Sequence, residues 1–165
     1  MCCRTVIFPG SFDPFTRGHK AVVDEALRIF DKVVVALGDN VAKRGLLSVE
    51  ARTALIRDIY AGNPRVEVKA YSSLTGDFAR ECGAKVIVRG VRTGYDIEYE
   101  QNMASVNRRL YPDITTVILC TPSELSHISS SVVRELLEFG HPVDDFMPEG
   151  VDIAAYLENK KSINR

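Results

Sequence analysis

The fold of this chain is built around one stretch, Pro9-Gly10-Ser11-Phe12-Asp13-Pro14-Phe15-Thr16-Arg17-Gly18-His19. A short apolar run, Thr5-Val6-Ile7-Phe8, precedes it, and a helical pattern begins near His19. Read as strand, tight loop and helix start, the stretch brings backbone N–H groups, hydroxyls and an imidazole to a helix N-terminus, which favours anions. Gly10 and Gly18 let the backbone approach a bulky group closely, and the prolines stiffen the turn. The stretch therefore predicts a phosphate-binding loop.

The composition is that of an ordinary globular protein. The 165 residues suit one domain, 1–165, with a hydrophobic share of 45% and a charged share of 26%. We find neither a leader-like segment nor an apolar run of about 18 residues, so we expect a cytoplasmic protein without a membrane partner. The net charge of −1 provides no field that would attract nucleic acid. We expect a frayed tail from about residue 160.

The cysteines and the basic residues narrow the ligand class. Cys2, Cys3, Cys82 and Cys120 form no C-x-x-C pair and have no histidine at zinc-site spacing, so we expect reduced thiols and no protein-bound metal. Basic side chains collect at predicted loops and helix starts, namely Arg17, Lys43, Arg44, Arg89, Arg92 and Arg134. Such local charge in a nearly neutral chain indicates a small polyanionic ligand rather than a nucleic-acid duplex.

Strand and helix patterns alternate along the chain. Apolar runs predict strands at residues 5–8, 32–37, 65–71, 85–89 and 115–120. Amphipathic patterns predict helices at about 19–30, 48–60, 74–81, 96–110, 129–139 and 150–159, with Ser48 and Asp96 as caps. The alternation predicts an α/β fold, a single Rossmann-like domain with a five-stranded parallel sheet in the order 3-2-1-4-5 and helices on both faces. In that order, the loops after strands one and four flank the switch point where such sheets bind ligands.

Four segments, in order, resemble a known family. They are Phe8-Pro9-Gly10-Ser11-Phe12-Asp13-Pro14 with Thr16-x-Gly18-His19, then Arg89-Gly90-Val91-Arg92, Asp96-Ile97-Glu98-Tyr99-Glu100, and residues 126–134. Thr16-x-Gly18-His19 resembles the (His/Thr)-x-Gly-His signature of nucleotidyltransferases, and the whole set resembles bacterial phosphopantetheine adenylyltransferases. The resemblance implies reversible adenylyl transfer from ATP to 4′-phosphopantetheine in coenzyme A biosynthesis, giving dephospho-coenzyme A and pyrophosphate. It also implies Mg²⁺ carried with ATP, and a homohexamer.

The resemblance further implies a set of site residues. The catalytic residues would be His19, Lys43, Ser11 and Arg92. The ATP-binding residues would be Ser11, Phe12, His19, Gly90, Val91, Arg92, Glu100, Leu125, Ser126, His127, Ile128, Ser129, Ser130 and Ser131. The phosphopantetheine-binding residues would be Ser11, Lys43, Leu74, Thr75 and Arg89.

His19 also stands out by its own chemistry. A lone histidine is usually structural, but this one follows a glycine, opens a helix and lies beside Ser11 and Thr16. A helix N-terminus disfavours imidazolium, so we expect a neutral ring that donates one hydrogen bond. In the family the equivalent histidine stabilises the transition state without forming a covalent intermediate.

The other candidates carry less specific signals. Arg89 and Arg92 end an apolar strand, where arginines are poorly suited to burial unless paired, and an anion is the simplest partner. Glu100 fits an exposed acidic helix start almost as well as a nucleotide contact. Three consecutive serines, Ser129 to Ser131, exceed what a helix cap needs. For His127, which stands where the family often has an aromatic residue, we expect a packing role.

Two positions depart from the family pattern, and other functions stay open. Gly45 stands where a proline is common, which favours a looser loop, and Arg17 stands where many relatives have asparagine, for no reason evident in the sequence. The alternatives are a related nucleotidyltransferase with another phosphorylated acceptor, such as nicotinamide mononucleotide or glycerol phosphate, and a non-catalytic nucleotide- or coenzyme-A-binding module. A flavodoxin-like electron carrier is disfavoured because the first loop is not of the hydroxyl-rich flavin type.

Overall fold

The computed structural model describes residues 4–39 and 45–157, so Cys2, Cys3 and the tail expected to fray lie outside the described residues. The strands are β1 (Thr5–Gly10), β2 (Lys32–Gly38), β3 (Val66–Tyr71), β4 (Val86–Val91) and β5 (Thr115–Cys120). The α-helices are α1 (Arg17–Ile29), α2 (Val49–Ile59), α3 (Thr75–Glu81), α4 (Gly94–Leu110), α5 (Ser130–Glu138) and α6 (Ala154–Leu157). Two short 3-10 helices, Ser123–Leu125 and Asp144–Phe146, are additions to the predicted elements.

The strands form one parallel sheet in the order β3-β2-β1-β4-β5, which confirms the predicted order. β1 is central, and its residues 6–9 are all buried. A strand buried on both faces reads as a continuous apolar run, which is why the short segment before Pro9 was readable as a strand. The central position brings the loop after β1 to the middle of the carboxyl edge.

The side chains of β1 alternate between two hydrophobic cores. Val6 and Phe8 pack on one face with residues from α1, α2 and α5. Ile7 points to the other face, where it joins Phe78 of α3 and Ile114. Helices therefore cover both faces of the sheet, as the sequence predicted.

Four element boundaries matter for the site. α1 begins at Arg17, so His19 is its third residue rather than its first. The predicted cap of α4 is wrong: Thr93 is the N-cap, and the Asp96 carboxylate accepts a hydrogen bond from the Thr93 N–H at 3.2 Å in a capping box. β4 runs on to Val91, so Arg89 lies within the strand. The Ser48 cap is confirmed, because its hydroxyl accepts from the Ala51 N–H at 3.1 Å.

Candidate active site

Two clefts open at the carboxyl edge of the sheet. The central cleft, of about 340 Å³, lies among the ends of β1 and β4 and the N-termini of α1 and α5. The side cleft, of about 850 Å³, lies beyond β1 against the ends of β2 and β3. Both clefts are lined by Pro9, Gly10, Ser11 and Arg89. Ligands held in the two clefts would therefore meet at the end of β1.

The imidazole of His19 lines the central cleft and is fixed by Thr16. The Thr16 N–H donates to His19 Nδ1 at 3.0 Å, and the Thr16 hydroxyl lies 3.0 Å from the same nitrogen. Since Nδ1 accepts, the neutral ring carries its proton on Nε2. The histidine thus presents a donor in one defined tautomer.

An aromatic cluster surrounds the His19 ring. The ring centroids of Phe12 and Phe15 lie 5.1 and 5.4 Å from it. Burial first, and then the positive charges of Arg92 and Arg89, lower the pKa of His19 from 6.5 to about 4. The expected neutral ring is thus supported, although burial and two arginines lower the pKa where the sequence pointed to the helix N-terminus.

Phe12 shapes the loop that holds this cluster. Its backbone has φ of 49°, the left-handed region that a bulky residue rarely adopts. Its ring is buried, and a Cβ on Gly10 would lie 2.8 Å from that ring. Glycine at position 10 is therefore required for the Phe12 ring to fold under the loop.

The start of α5 supplies the opposite wall of the central cleft. Ser129 caps the helix by accepting from the Val132 N–H at 3.2 Å. The Ser130 hydroxyl donates to the Pro14 carbonyl at 2.8 Å, and the Ser131 hydroxyl accepts from Arg134 at 3.1 Å. All three serines line the cleft beside the free N–H groups of the first helical turn. Two helix N-termini and their hydroxyls therefore face one space, an arrangement suited to phosphate groups.

Arg92 completes the cationic side of the central cleft. Its Nη1 donates to the Ile128 carbonyl at 3.2 Å, which ties the end of β4 to the segment before α5. Its Nε lies 3.6 Å from the Asp96 carboxylate. The guanidinium keeps further donors for an anion, because it carries five N–H groups.

Arg89 is held by a carboxylate of α4. Its Nε and Nη2 donate to the two oxygens of Glu100 at 2.7 and 2.6 Å, and its Nη1 donates to the Pro9 carbonyl at 2.8 Å. Glu100 is only 6% exposed, and it is the one buried residue of α4. The sequence pointed to an anion as the partner of Arg89, and in the structure the carboxylate of Glu100 fills that place.

The side cleft has a different, more apolar wall. Leu74 and Tyr99 line it with 64% and 61% of their surface exposed. The Thr75 hydroxyl lies 3.0 Å from the Tyr71 hydroxyl at the end of β3. This wall suits a long flexible ligand with apolar segments, and Arg89 lies at its inner end.

The comparisons with known proteins agree with this architecture. The model of the cytidylyltransferase-like family matches residues 7–136. The chain is 52% identical over 144 residues to the phosphopantetheine adenylyltransferase of Porphyromonas gingivalis, covering 87% of this chain and 94% of that protein. It is 50% identical over 150 residues to that of Phocaeicola vulgatus, covering 91% and 99%. The chain belongs to the phosphopantetheine adenylyltransferase family. The family resemblance drawn from the four sequence segments is thereby confirmed.

A solved structure has the same fold at low sequence identity. It is a bifunctional NMN adenylyltransferase/ADP ribose pyrophosphatase of Francisella tularensis, complexed with AMP and a manganese ion, with a TM-score of 0.67 and 18% identity. The match covers 99% of this chain, which spans about half (50%) of that longer chain. At this identity the likeness concerns the fold alone, and it confirms the Rossmann-like fold.

The structure brings most of the predicted site residues of this family member to the two clefts. Ten line the central cleft: Ser11, Phe12, His19, Arg89, Gly90, Arg92, Ile128, Ser129, Ser130 and Ser131. Four line the side cleft: Ser11, Leu74, Thr75 and Arg89. Lys43 lies outside the described residues, so its role stays a prediction.

Five predicted ATP-binding residues do not line the central cleft: Val91, Glu100, Leu125, Ser126 and His127. Val91 is buried, and Glu100 lies with Arg89 in a small cavity of about 180 Å³ on the α4 side. His127 packs edge-on against Phe146, with ring centroids 6.0 Å apart, in keeping with its expected packing role.

The structure adds residues that sequence reasoning did not select. Thr121 lines the central cleft directly after β5, and Tyr99 lines the side cleft. Their positions in the sequence could have indicated both residues. Thr121 follows a parallel strand at its carboxyl end, where ligands bind, and Tyr99 lies within a segment quoted for the resemblance. Arg17, unexplained in the sequence, donates from Nη1 to the Asp145 carbonyl at 3.0 Å and so ties α1 to the Asp144–Phe146 turn.

Proposed function

We propose that the protein catalyses reversible adenylyl transfer from ATP to 4′-phosphopantetheine, giving dephospho-coenzyme A and pyrophosphate, as a step of coenzyme A biosynthesis. Membership of the family supports the reaction. The observation that carries it is the pair of adjoining clefts that share Ser11 and Arg89. The central cleft suits a nucleoside triphosphate, and the side cleft suits a long acceptor. The two reacting phosphates would meet between them.

ATP occupies the central cleft in this proposal. Its phosphates lie at the N-termini of α1 and α5, against the serines and Arg92. A phosphate oxygen of the acceptor attacks the α-phosphorus in line, and the bond from that phosphorus to the bridging oxygen of the leaving pyrophosphate breaks. His19 donates from Nε2 to a non-bridging oxygen of the transferring group, where charge grows in the transition state.

Positioning supplies much of the remaining catalysis. Holding two reactants in one geometry is worth roughly 7–11 kcal/mol in the best-aligned systems. The phosphate of the acceptor lies near Arg89 and Ser11, and its arm runs past Leu74 and Thr75. By family resemblance Lys43 contacts both reacting phosphates as a compact mobile charge.

We propose that Mg²⁺ enters with the triphosphate. Magnesium usually keeps several waters and binds through substrate phosphates. Over residues 4–39 and 45–157 no three histidine, cysteine or carboxylate side chains form a metal-binding group. The central cleft offers hydroxyls and cations, which suit the phosphates, so we expect the ion to have few protein ligands.

We also propose a cytoplasmic homohexamer. Within the described residues, no helix is long and apolar enough to cross a membrane. ATP is a cytoplasmic substrate, which supports the compartment. α4 exposes Val106 and Leu110, which lie one turn apart and line neither cleft, and exposed apolar surface of this kind supports association with further copies.

The direct test is an acceptor panel with the purified protein. Pyrophosphate release is followed with ATP and Mg²⁺ plus 4′-phosphopantetheine, nicotinamide mononucleotide or glycerol 3-phosphate, and the product mass identifies the transfer. We expect release only with 4′-phosphopantetheine. Release with another acceptor would keep the reaction type and replace the substrate. ATP binding without release for any acceptor would instead indicate a nucleotide-binding module.

A further inference from the structure

Three carbonyl groups at the end of β1 and in the loop after it accept hydrogen bonds from arginine side chains. Arg89 Nη1 donates to the Pro9 carbonyl at 2.8 Å, and Arg134 Nη1 donates to the Asp13 carbonyl at 2.6 Å. Arg52 Nη1 donates to the Ser11 carbonyl at 2.6 Å. A free carbonyl oxygen in a phosphate site would repel the ligand, so each of these bonds removes an unfavourable dipole and fixes the loop.

Arg52 differs from the other two arginines. Arg89 and Arg134 line the central cleft themselves, whereas Arg52 belongs to α2 and lines neither cleft. A cation in the first turn of a helix opposes the helix dipole. Arg52 forms no ion pair with any residue the structure describes, and its guanidinium donates to the Ser48 and Ser11 carbonyls. Within α2 the charge of Glu50 attracts Arg52, and the bond to the Ser11 carbonyl ties it to a residue 41 positions away in the loop.

A second contact joins the same two segments. The Asp13 carboxylate is 7% exposed and accepts from the N–H groups of Leu46 and Leu47 at 2.7 and 2.8 Å. A Cβ at Gly45 would lie 2.8 Å from Asp13 Oδ2, so glycine allows this close approach. Two contacts thus hold the loop after β1: Arg52 binds it from α2, and Asp13 binds the segment that leads into α2.

We propose that Arg52 is a positioning residue for adenylyl transfer. Its hydrogen bond to the Ser11 carbonyl fixes Ser11 at the boundary of the two clefts, where the reacting phosphates meet. The proposal rests on the proposed function, since it assigns Arg52 a task in that reaction. Arg52 itself touches neither substrate.

The test compares three variants of α2. Arg52→Ala should lower kcat about 10- to 100-fold, the scale of a small misplacement of reacting groups, while KM for ATP stays near that of the wild type. Arg52→Lys should recover part of the loss because a lysine can still donate to the carbonyl. The matched control is Arg57→Ala, whose side chain donates to the Val68 carbonyl at 3.3 Å on the same helix and away from both clefts. Equal kcat values for Arg52→Ala and Arg57→Ala would overturn the proposal.

A double substitution separates positioning from general stability. If Arg52 acts by holding Ser11, the loss caused by Arg52→Ala should shrink in a Ser11→Ala background. The proposal would be contradicted if the fold-loss of kcat in the double variant equalled the product of the losses in the two single variants.

Amide hydrogen exchange of the ligand-free protein gives an answer that needs no turnover. Exchange at residues 10–12 should be faster in Arg52→Ala than in the wild type and in Arg57→Ala. Unchanged exchange would show that the bond from Arg52 to the Ser11 carbonyl does not stabilise the loop. Turnover of the wild type reports separately on the proposed function, so failure of either proposal is recognisable.

Discussion

The central cleft and the side cleft share one strand end but are built on different principles. In the central cleft the polar groups are held by the protein: Thr16 fixes the His19 ring, and Arg134 contacts Ser131. In the side cleft the apolar lining residues Leu74 and Tyr99 are largely exposed. The polar groups of the central cleft are therefore in position before a ligand binds, whereas the side cleft presents exposed apolar surface that a ligand would cover.

The difference follows from the two kinds of ligand. Stabilising charge in a transition state requires donors that need no reorganisation at the moment of reaction. Holding an uncharged arm requires only that apolar surface be removed from water, which is not directional. We therefore expect substitutions in the central cleft to lower the rate, and substitutions in the side cleft to weaken acceptor binding.

The largest effect on rate should come from His19→Ala. Removing a preorganised donor to a developing oxyanion costs about 10²–10³ in kcat. His19→Gln, which retains an amide donor, should lose less, and circular dichroism should show the fold intact in both. A kcat for His19→Ala within a few-fold of the wild type would remove His19 from the mechanism and with it the contrast between the clefts.

Arg89→Met tests the border of the two clefts. It leaves Glu100 buried without its partner, which should destabilise the protein by on the order of 3 kcal/mol. The double variant Arg89→Met/Glu100→Met should recover most of the stability in denaturant unfolding, because a buried ion pair is often replaceable by apolar groups. The acceptor KM should stay raised in both variants. Recovery of acceptor binding in the double variant would show that Arg89 serves only the ion pair.

Lowering the pH should reduce the free energy of unfolding, because the central cleft favours the neutral form of the His19 ring. The pKa of His19 is about 4 in the folded protein, against roughly 6.5 when unfolded. The unfolded state therefore binds a proton as the pH falls below 6.5, while the folded state does not until about pH 4. Stability should fall over this window by at most about 3 kcal/mol. His19→Gln lacks the titrating ring, and an equal loss in that variant would assign the effect to other groups.

The smallest predicted effect belongs to the side cleft. Leu74→Ser should raise KM for 4′-phosphopantetheine about 10-fold, since a partly covered leucine contributes less than the 1.5–3 kcal/mol of full burial. The value of kcat and KM for ATP should stay close to those of the wild type. A lower kcat with unchanged acceptor KM would mean that Leu74 positions reacting groups rather than holding the arm.

The sequence predicted the sheet and the meeting of its loops, because both follow from local patterns. Continuous apolar runs indicated buried parallel strands, and the order that followed placed the loop after β1 beside the end of β4. The signature around His19 likewise lies within one short stretch. Features of this kind can be read without knowing the three-dimensional structure.

The contacts that the sequence did not reveal join distant segments. Glu100 was readable as an exposed helix start, and its pairing with Arg89 depends on how α4 lies against β4. The contacts of Arg52 with Ser11 and of Asp13 with Leu46 span 41 and 33 residues. No local spacing encodes such pairs. Even the Thr93 cap was ambiguous, because Thr93 and Asp96 are both acceptable cap residues.

The central claim is that one reaction spans both clefts, and product binding tests it most directly. Dephospho-coenzyme A is titrated against the protein carrying either labelled ATP or labelled 4′-phosphopantetheine, at equilibrium and without pyrophosphate. If the product lies across the end of β1, it must displace both labels from the wild type, and Leu74→Ser must weaken its displacement of each. Displacement of only one label would place the two substrates in unconnected sites and contradict the account.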